Sequence, residues 1–395
     1  MHVVYLTSEY ITEKRVGGLG VYLSNVAYIF KSKGHKVHVI TLSDVNGVTS
    51  DRNGVEVVRV KRSDHKNNAI KYVIDSFRIR KALDGLASVE KIDIVQAANY
   101  HAVGLVRRHD IPTIVRVSSD GALLRNARKK QFDFDKAIRD KNFEDSLENI
   151  SVRIADKAFA PSYFCAEVIG ERTKKCIDVI ESPYLEKLVD ENPILFEKYL
   201  KNKQYIIYNN TINWLKGAGL LISATDELMK KYPELMIVYA GNDDCYEYCD
   251  GLTHAAFIAR QNRLYGGRVK YLGRLNRARL FPLVRNSIAC VIPSRVDNLP
   301  NSCIEAMSLK TVVIGTKGAS FEQLITDGVS GFLIQRDSKE SLIDAISRAI
   351  SLSKEERNQI TSNACEVLGR LTSDRIYSEL FEYYNSAILY HETKR

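Results

Sequence analysis

Short apolar runs alternate along this chain with amphipathic stretches of helical period, and turn residues punctuate both. Strand-like runs fall at residues 3–7, 36–41, 55–60, 93–97 and 112–117, with another between 154 and 162. An amphipathic helix is predicted from the glycine-rich turn after residue 7 to about Lys33, closed by Gly34, and another from Tyr163. The apolar pattern breaks at Val179-Ile180-Glu181-Ser182-Pro183, and the charged residues around Pro193 suit a linker. The alternation then resumes, with strands at 205–208, 235–240, 269–272 and 289–292 and helices to about Tyr232 and from Ser302. Two helices follow Phe332-Leu333 to about Leu371. The last predicted helix, 374–389, carries Tyr377, Leu380, Phe381, Tyr384 and Ile388 on one apolar stripe, which reads as core. Strands and helices alternating at this pitch predict parallel, doubly wound sheets, and 395 residues suit two domains.

Composition narrows the class. Hydrophobic residues make up 45% of the chain, with no apolar run near the roughly 18–20 residues of a membrane span. Met1-His2-Val3-Val4-Tyr5-Leu6 reads as a first strand and not as a signal peptide. The seven cysteines are scattered, as expected of free thiols in a reducing cytoplasm. Cys245-x3-Cys249 lacks zinc-knuckle spacing and a partner pair, so no metal is assigned. The net charge is +9, of which +7 lies in residues 1–185, where 30 Lys and Arg face 23 Asp and Glu. That excess suits an anionic substrate or lipid surface; no nucleic-acid-binding signature accompanies it. Residues 121–150 interleave basic side chains with Leu123, Leu124, Phe132, Phe134, Ile138 and Phe143. They read either as a solvated helix face with a loop or as a segment that rests on anionic lipid.

Candidate chemistry concentrates where a strand gives way to a helix. After the strand at 289–292, Pro293 and Ser294 stop the run and residues 297–301 supply turn chemistry. Asp297 and Glu305 stand with seven residues between them. An ionised carboxylate accepts several hydrogen bonds at once, which suits a ligand rich in hydroxyls. Two plainer readings stand beside this one: Ser302-x-x-Glu305 is also a capping box, and Asp297 an ordinary turn residue. Gly17-Gly18 between a strand and a helix has the layout of a phosphate cradle. Lys216 starts a helix, where a cation opposes the macrodipole, so a functional role is favoured over a structural one.

These residues together resemble the retaining, nucleotide-sugar-dependent glycosyltransferases of the GT-B fold, family four. Asp297 and Glu305 match the family's acidic-x7-acidic motif, with Asp in place of the usual first Glu. The likeness continues through residues 311–318, Glu322 and residues 327–333, and in order and spacing covers most of the chain. The resemblance implies two Rossmann-like doubly wound domains with an interdomain cleft. Residues 1–185 would bind the acceptor, with helix 374–395 packing back on them, and residues 186–373 would bind the nucleotide sugar. Glu305 would hold the ribose hydroxyls, and Asp297 the donor sugar, helped by the backbone of Asn298, Leu299, Pro300, Asn301 and Ser302. Gly17 and Gly18 would approach the diphosphate, Lys216 would neutralise it, and Arg274 and Leu275 would meet the base.

Two departures stand out. Asn210-Thr211 replaces the family's Gly-Arg, leaving Lys216 as the main cation. Gln96, Ala98 and Ser118 stand where cleft histidines are usual, while the nearby His101 is expected to start a helix. The resemblance thus implies a metal-independent glycosyltransferase without cofactor, acting on a glycan or lipid-linked acceptor in surface polysaccharide, lipopolysaccharide or glycolipid assembly at the cytoplasmic face of a membrane. A nucleotide-sugar 2-epimerase on the same fold and a non-catalytic nucleotide-sugar-binding protein are the alternatives.

Overall fold

The computed structural model describes all residues except Arg15, Lys187, Leu188, Cys245, Tyr246 and Arg395. The Cys245 spacing and Arg15 of the glycine-rich turn therefore lie outside the described residues. The chain forms two compact units, one of residues 1–122, 138–185 and 371–395, the other of residues 123–137 and 186–370.

The first unit holds an eight-stranded sheet. Its strands are β1 (His2–Thr7), β2 (Lys36–Ser43), β3 (Gly47–Ser50), β4 (Glu56–Lys61), β5 (Ile94–Ala98), β6 (Thr113–Arg116), β7 (Lys157–Ala160) and β8 (Asp178–Val179). They lie in the order β3-β4-β2-β1-β5-β6-β7-β8, with every pair parallel except β3–β4. The edge strand β3 has no apolar run to reveal it, because only its pairing with β4 makes it a strand. The central strands are buried throughout, which explains why they read as continuous apolar runs. After β1 the chain enters helix Gly18–Ser32. That helix ends as its pattern predicts: Gly34 takes φ +84°, and the His35 N–H returns to the Phe30 carbonyl at 3.1 Å.

Helix Ser373–Thr393 completes this unit. Tyr383 donates to the Ala158 carbonyl at 2.8 Å, and the buried Tyr384 hydroxyl donates to Gln96 Oε1 at 2.6 Å. Phe30 packs on the rings of both Tyr377 and Tyr384.

The second unit has a six-stranded parallel sheet. Its strands are β9 (Tyr205–Asn209), β10 (Met236–Ala240), β13 (Val269–Tyr271), β14 (Cys290–Ile292), β15 (Val313–Thr316) and β16 (Phe332–Ile334). A small hairpin, β11 (Glu247–Cys249) with β12 (Leu252–Thr253), lies apart. The order β13-β10-β9-β14-β15-β16 reverses between β9 and β14, the place where open α/β sheets bind ligands beyond the strands' carboxyl ends.

The expected domain span of 1–185 is corrected at residues 123–137, which fold with the second unit. The buried Arg295 guanidinium holds this segment. It donates to the carbonyls of Ala127 (3.2 Å), Lys129 (2.6 Å) and Lys130 (3.1 Å), and to Asp337 at 2.8 Å. Phe132 packs against the same guanidinium, and Arg336 lies 4.1 Å above the Phe134 ring. Phe132 and Phe134, two of the aromatic residues that suggested a lipid surface, are thus engaged by arginines of their own unit, whereas Phe143 is exposed.

Replacing Tyr384 with Phe removes the donor to Gln96 and leaves a buried amide oxygen without it. The expected loss is about 1–3 kcal/mol, measured as a lower urea midpoint with an unchanged slope.

Candidate active site

The second unit's site is built from three loops at the carboxyl ends of β9, β13 and β14. The first, residues 210–217, joins β9 to helix Ala218–Lys231. Asn213 fixes it by accepting the Lys216 N–H at 2.8 Å and donating to Asp244 at 2.5 Å. Buried Tyr208 donates to the carbonyls of Thr211 (2.6 Å) and Lys216 (3.1 Å), and burial pushes its phenol well above the ordinary range, keeping it a donor. Gly217 takes φ +76° at the start of the helix, and a Cβ there would lie 1.8 Å from the Pro293 carbonyl oxygen. Only glycine allows the β9 loop to approach the β14 loop this closely.

That approach brings together residues the sequence keeps 81 positions apart. Lys216 Nζ lies 2.7 Å from Asp297 Oδ2, with both side chains largely shielded. Asp297 Oδ1 accepts the Asn298 N–H at 3.1 Å, and the Ser320 hydroxyl donates to the Asp297 carbonyl at 2.9 Å. Asn210 reaches across to Ser302 Oγ at 3.5 Å, and Thr211 N–H bonds back to the Asn210 side chain at 2.9 Å.

Glu305 does not cap its helix. Helix Asn301–Ser308 begins after Pro300 with no side-chain cap, and the Glu305 carboxylate instead meets Arg277. Arg277 Nε and Nη2 both donate to Oε1, at 2.8 and 2.6 Å, and Oε2 has no hydrogen-bond partner among the described residues. The capping-box reading of Ser302-x-x-Glu305 is therefore set aside: a charge-assisted pair takes the oxygen that a cap would use. Leu299 and Pro300 are buried beside this turn, whereas Asn301 is exposed.

Arg277 was not singled out from the sequence, although a signal existed. It opens helix Arg277–Arg285, which has no acidic residue in its first turn, and so it opposes the macrodipole just as Lys216 does. The adjacent turn carries Arg274, exposed, and Leu275, half-buried. It is tied to the β10 loop by the Gly241 N–H donating to the Gly273 carbonyl at 2.9 Å.

Within the first unit, Gly17 and Gly18 start helix Gly18–Ser32 as expected. The amides there already hold a carboxylate: Glu9 Oε1 accepts from Gly17 at 3.2 Å and from Gly20 at 3.0 Å. Where histidines are absent, Gln96 is bound by Tyr384, and Ser118 accepts from the buried Arg116 at 2.7 Å. Arg116 also lies 3.6 Å above the Tyr22 ring.

His101 does not start a helix. It lies in a single turn at Tyr100–Ala102 with φ +60°, between the rings of Tyr72 and Tyr100. Burial, followed by the charges of Arg62 and Lys71, lowers its pKa to about 4.

Two doubly wound units, one with paired charges at its topological switch point, define an α/β protein of the GT-B class. Family models agree: "Glycosyltransferase Family 4" matches residues 16–182 and "Glycosyl transferases group 1" matches residues 191–367. The chain belongs to these glycosyltransferases. It is 23% identical to the uncharacterized glycosyltransferase MJ1607 of Methanocaldococcus jannaschii, over 98% of this chain and 99% of that one. Sucrose-phosphate synthase from Thermosynechococcus elongatus shares the fold with a TM-score of 0.77 at 15% identity, covering 98% and 99% of the two chains. Anabaena HepE, solved with UDP and glucose, shares it with a TM-score of 0.71 at 16% identity, over 98% and 100%.

Gly217→Ala forces either the Pro293 carbonyl or the helix start to move. The expected destabilisation is roughly 2 kcal/mol or more, read as a lower melting temperature. A second expectation concerns acid. Because His101 titrates lower folded than unfolded, its contribution is complete above about pH 6.5 and is lost as pH falls toward 4. His101→Asn should flatten the stability–pH profile across that window, measured by urea unfolding at each pH.

Proposed function

We propose that this glycosyltransferase moves a sugar from a nucleotide-diphosphate donor to an acceptor hydroxyl, with retention at the anomeric carbon. The observation that carries this reading is the state of the two carboxylates at the switch point. Each is held beside its own cation, and Glu305 keeps Oε2 open to accept hydrogen bonds from ribose hydroxyls. Asp297 would hold the hydroxyls of the donor sugar, with the backbone around Asn298 to Asn301.

Lys216 would exchange Asp297 for the diphosphate and stabilise the charge that grows on it. The bond from the anomeric carbon to the phosphate oxygen breaks, and the acceptor oxygen bonds that carbon from the same face. The acceptor's proton passes to the departing phosphate oxygen. Preorganised cations and amides supply the electrostatic stabilisation, so the reading requires no divalent ion. The UDP, UDP-glucose and glucose held by Anabaena HepE support a nucleotide-diphosphate hexose as the first donor class to test. The first unit keeps a smaller basic excess once residues 123–137 are counted with the second unit, and this excess favours an anionic acceptor such as a lipid diphosphate, as in surface-glycan or glycolipid assembly at the inner face of a membrane.

The test is thermal stability against a panel of UDP-, GDP- and ADP-sugars with chelator present. One donor should raise the melting temperature, since a ligand that binds only the folded chain stabilises it by mass action. Glu305→Ala should abolish the shift. Lys216→Ala should slow donor turnover by about 10²-fold or more. If no nucleotide shifts the melting temperature at millimolar concentration, the reading fails. Epimerised donor formed without acceptor would instead mark a 2-epimerase.

A further inference from the structure

At the amino ends of β1 and β2, two imidazoles face each other. His2 Nε2 and His38 Nδ1 are 2.8 Å apart, and both side chains are buried. Their outer nitrogens each meet an acceptor. His2 Nδ1 donates to the Lys91 carbonyl at 2.9 Å, and His38 Nε2 lies 3.4 Å from Glu56 Oε1.

Proton counting shows a conflict. Serving the Lys91 carbonyl, the Glu56 carboxylate and the contact between the rings takes three protons, but two neutral imidazoles carry only two. If both outer nitrogens are protonated, two lone pairs confront each other between the rings. If the inner proton sits on His38, its bare Nε2 faces the Glu56 carboxylate, and if it sits on His2, a bare Nδ1 faces the Lys91 carbonyl. A third proton would resolve this at the cost of a buried positive charge.

A third group converges on the same place. Glu90 follows helix Asn68–Val89, and one of its oxygens, Oε1, pairs with Lys36 Nζ at 2.6 Å. The other, Oε2, is buried without a hydrogen-bond partner among the described residues, 3.6 Å from His2 Nδ1. One donor atom from each of His2, His38 and Glu90 lies within 4.8 Å of the others.

We propose that His2 Nε2, His38 Nδ1 and Glu90 Oε2 form a site for a divalent transition-metal ion, with zinc the best match. An ion bound by both inner lone pairs would part the two nitrogens from 2.8 Å to roughly 3.3 Å, the span of two Zn–N bonds at a tetrahedral angle, and leave both imidazoles neutral with their outer N–H groups facing their acceptors. The Lys91 carbonyl and Glu56 then act as the partners that orient metal-bound histidines. Two imidazoles and one carboxylate suit Zn²⁺ in tetrahedral geometry, with water in the fourth position. The site lies at the amino ends of its strands, in the other unit from the switch-point chemistry. It would staple the starts of β1 and β2 to the end of helix Asn68–Val89. The sequence concealed it because the three ligands are separated by 36 and 52 residues, far from any metal-binding spacing.

The experiment uses the full chain with any histidine tag removed and metal stripped by chelator. Zinc is titrated in competition with a chromophoric chelator, and Co²⁺ is added separately to read coordination from its visible absorption. The expected result is one ion per chain, intense tetrahedral Co²⁺ bands, and a higher melting temperature with zinc. Glu90→Gln and His38→Asn should each weaken zinc binding by at least ~10-fold. Should His38→Asn fail to fold, Glu90→Gln and the Co²⁺ spectrum of the parent decide. Absence of stoichiometric binding at micromolar zinc, weak octahedral Co²⁺ bands, or undiminished affinity in a folded Glu90→Gln chain would overturn the site. None of these readouts depends on sugar transfer, so the site and the donor reading stand or fall separately.

Discussion

Everything charged at the second unit's switch point depends on two positions having no side chain. Gly217 lets the β9 loop press against the Pro293 carbonyl, and Gly241 does the same for the neighbouring loop, where a Cβ would lie 1.7 Å from the Asn210 carbonyl oxygen. Backbone touching backbone fixes the loops without depending on flexible side chains, and the ionic groups are then carried by an already rigid frame. Tyr208 and Asn213 complete that frame: Tyr208 binds carbonyls of the β9 loop, and Asn213 binds the Lys216 N–H and ties the loop to Asp244 after β10.

The charges on this frame are already paired. Lys216 with Asp297, and Arg277 with Glu305, give each ion a partner before any ligand arrives. Partly shielded charges left single would carry a desolvation cost, so pairing lets the site exist without collapsing or binding stray ions. The first unit follows the same logic, where Glu9 occupies the amides at the start of helix Gly18–Ser32. Binding at such places is an exchange of partners.

Much of this architecture could be read from the chain. Central parallel strands are buried on both faces, so β1, β5, β9 and β10 appear as plain apolar runs. Lys216 was legible because a cation at a helix start breaks a local rule, whereas Asp297 and Glu305 stood out through their spacing and its resemblance to a family motif. What stayed hidden was pairing across distance. Edge strand β3, the Arg277–Glu305 pair and the packing of Phe132 on Arg295 depend on a partner that no local pattern names. The capping motif Ser302-x-x-Glu305 misled for the same reason, since a distant guanidinium competes for the carboxylate more strongly than a local amide.

The division of the chain also bears on how it is made. The first unit is assembled from three pieces, and its buried Gln96 is bound by Tyr384 of the last of them. The second unit, by contrast, has all its residues once position 370 has been added. On the ribosome, the part that begins first must therefore finish last, holding an incomplete apolar surface while the later part already has its full complement. Segment 123–137 reinforces this order: it is translated early, yet must wait for Arg295 before it has a place to bind.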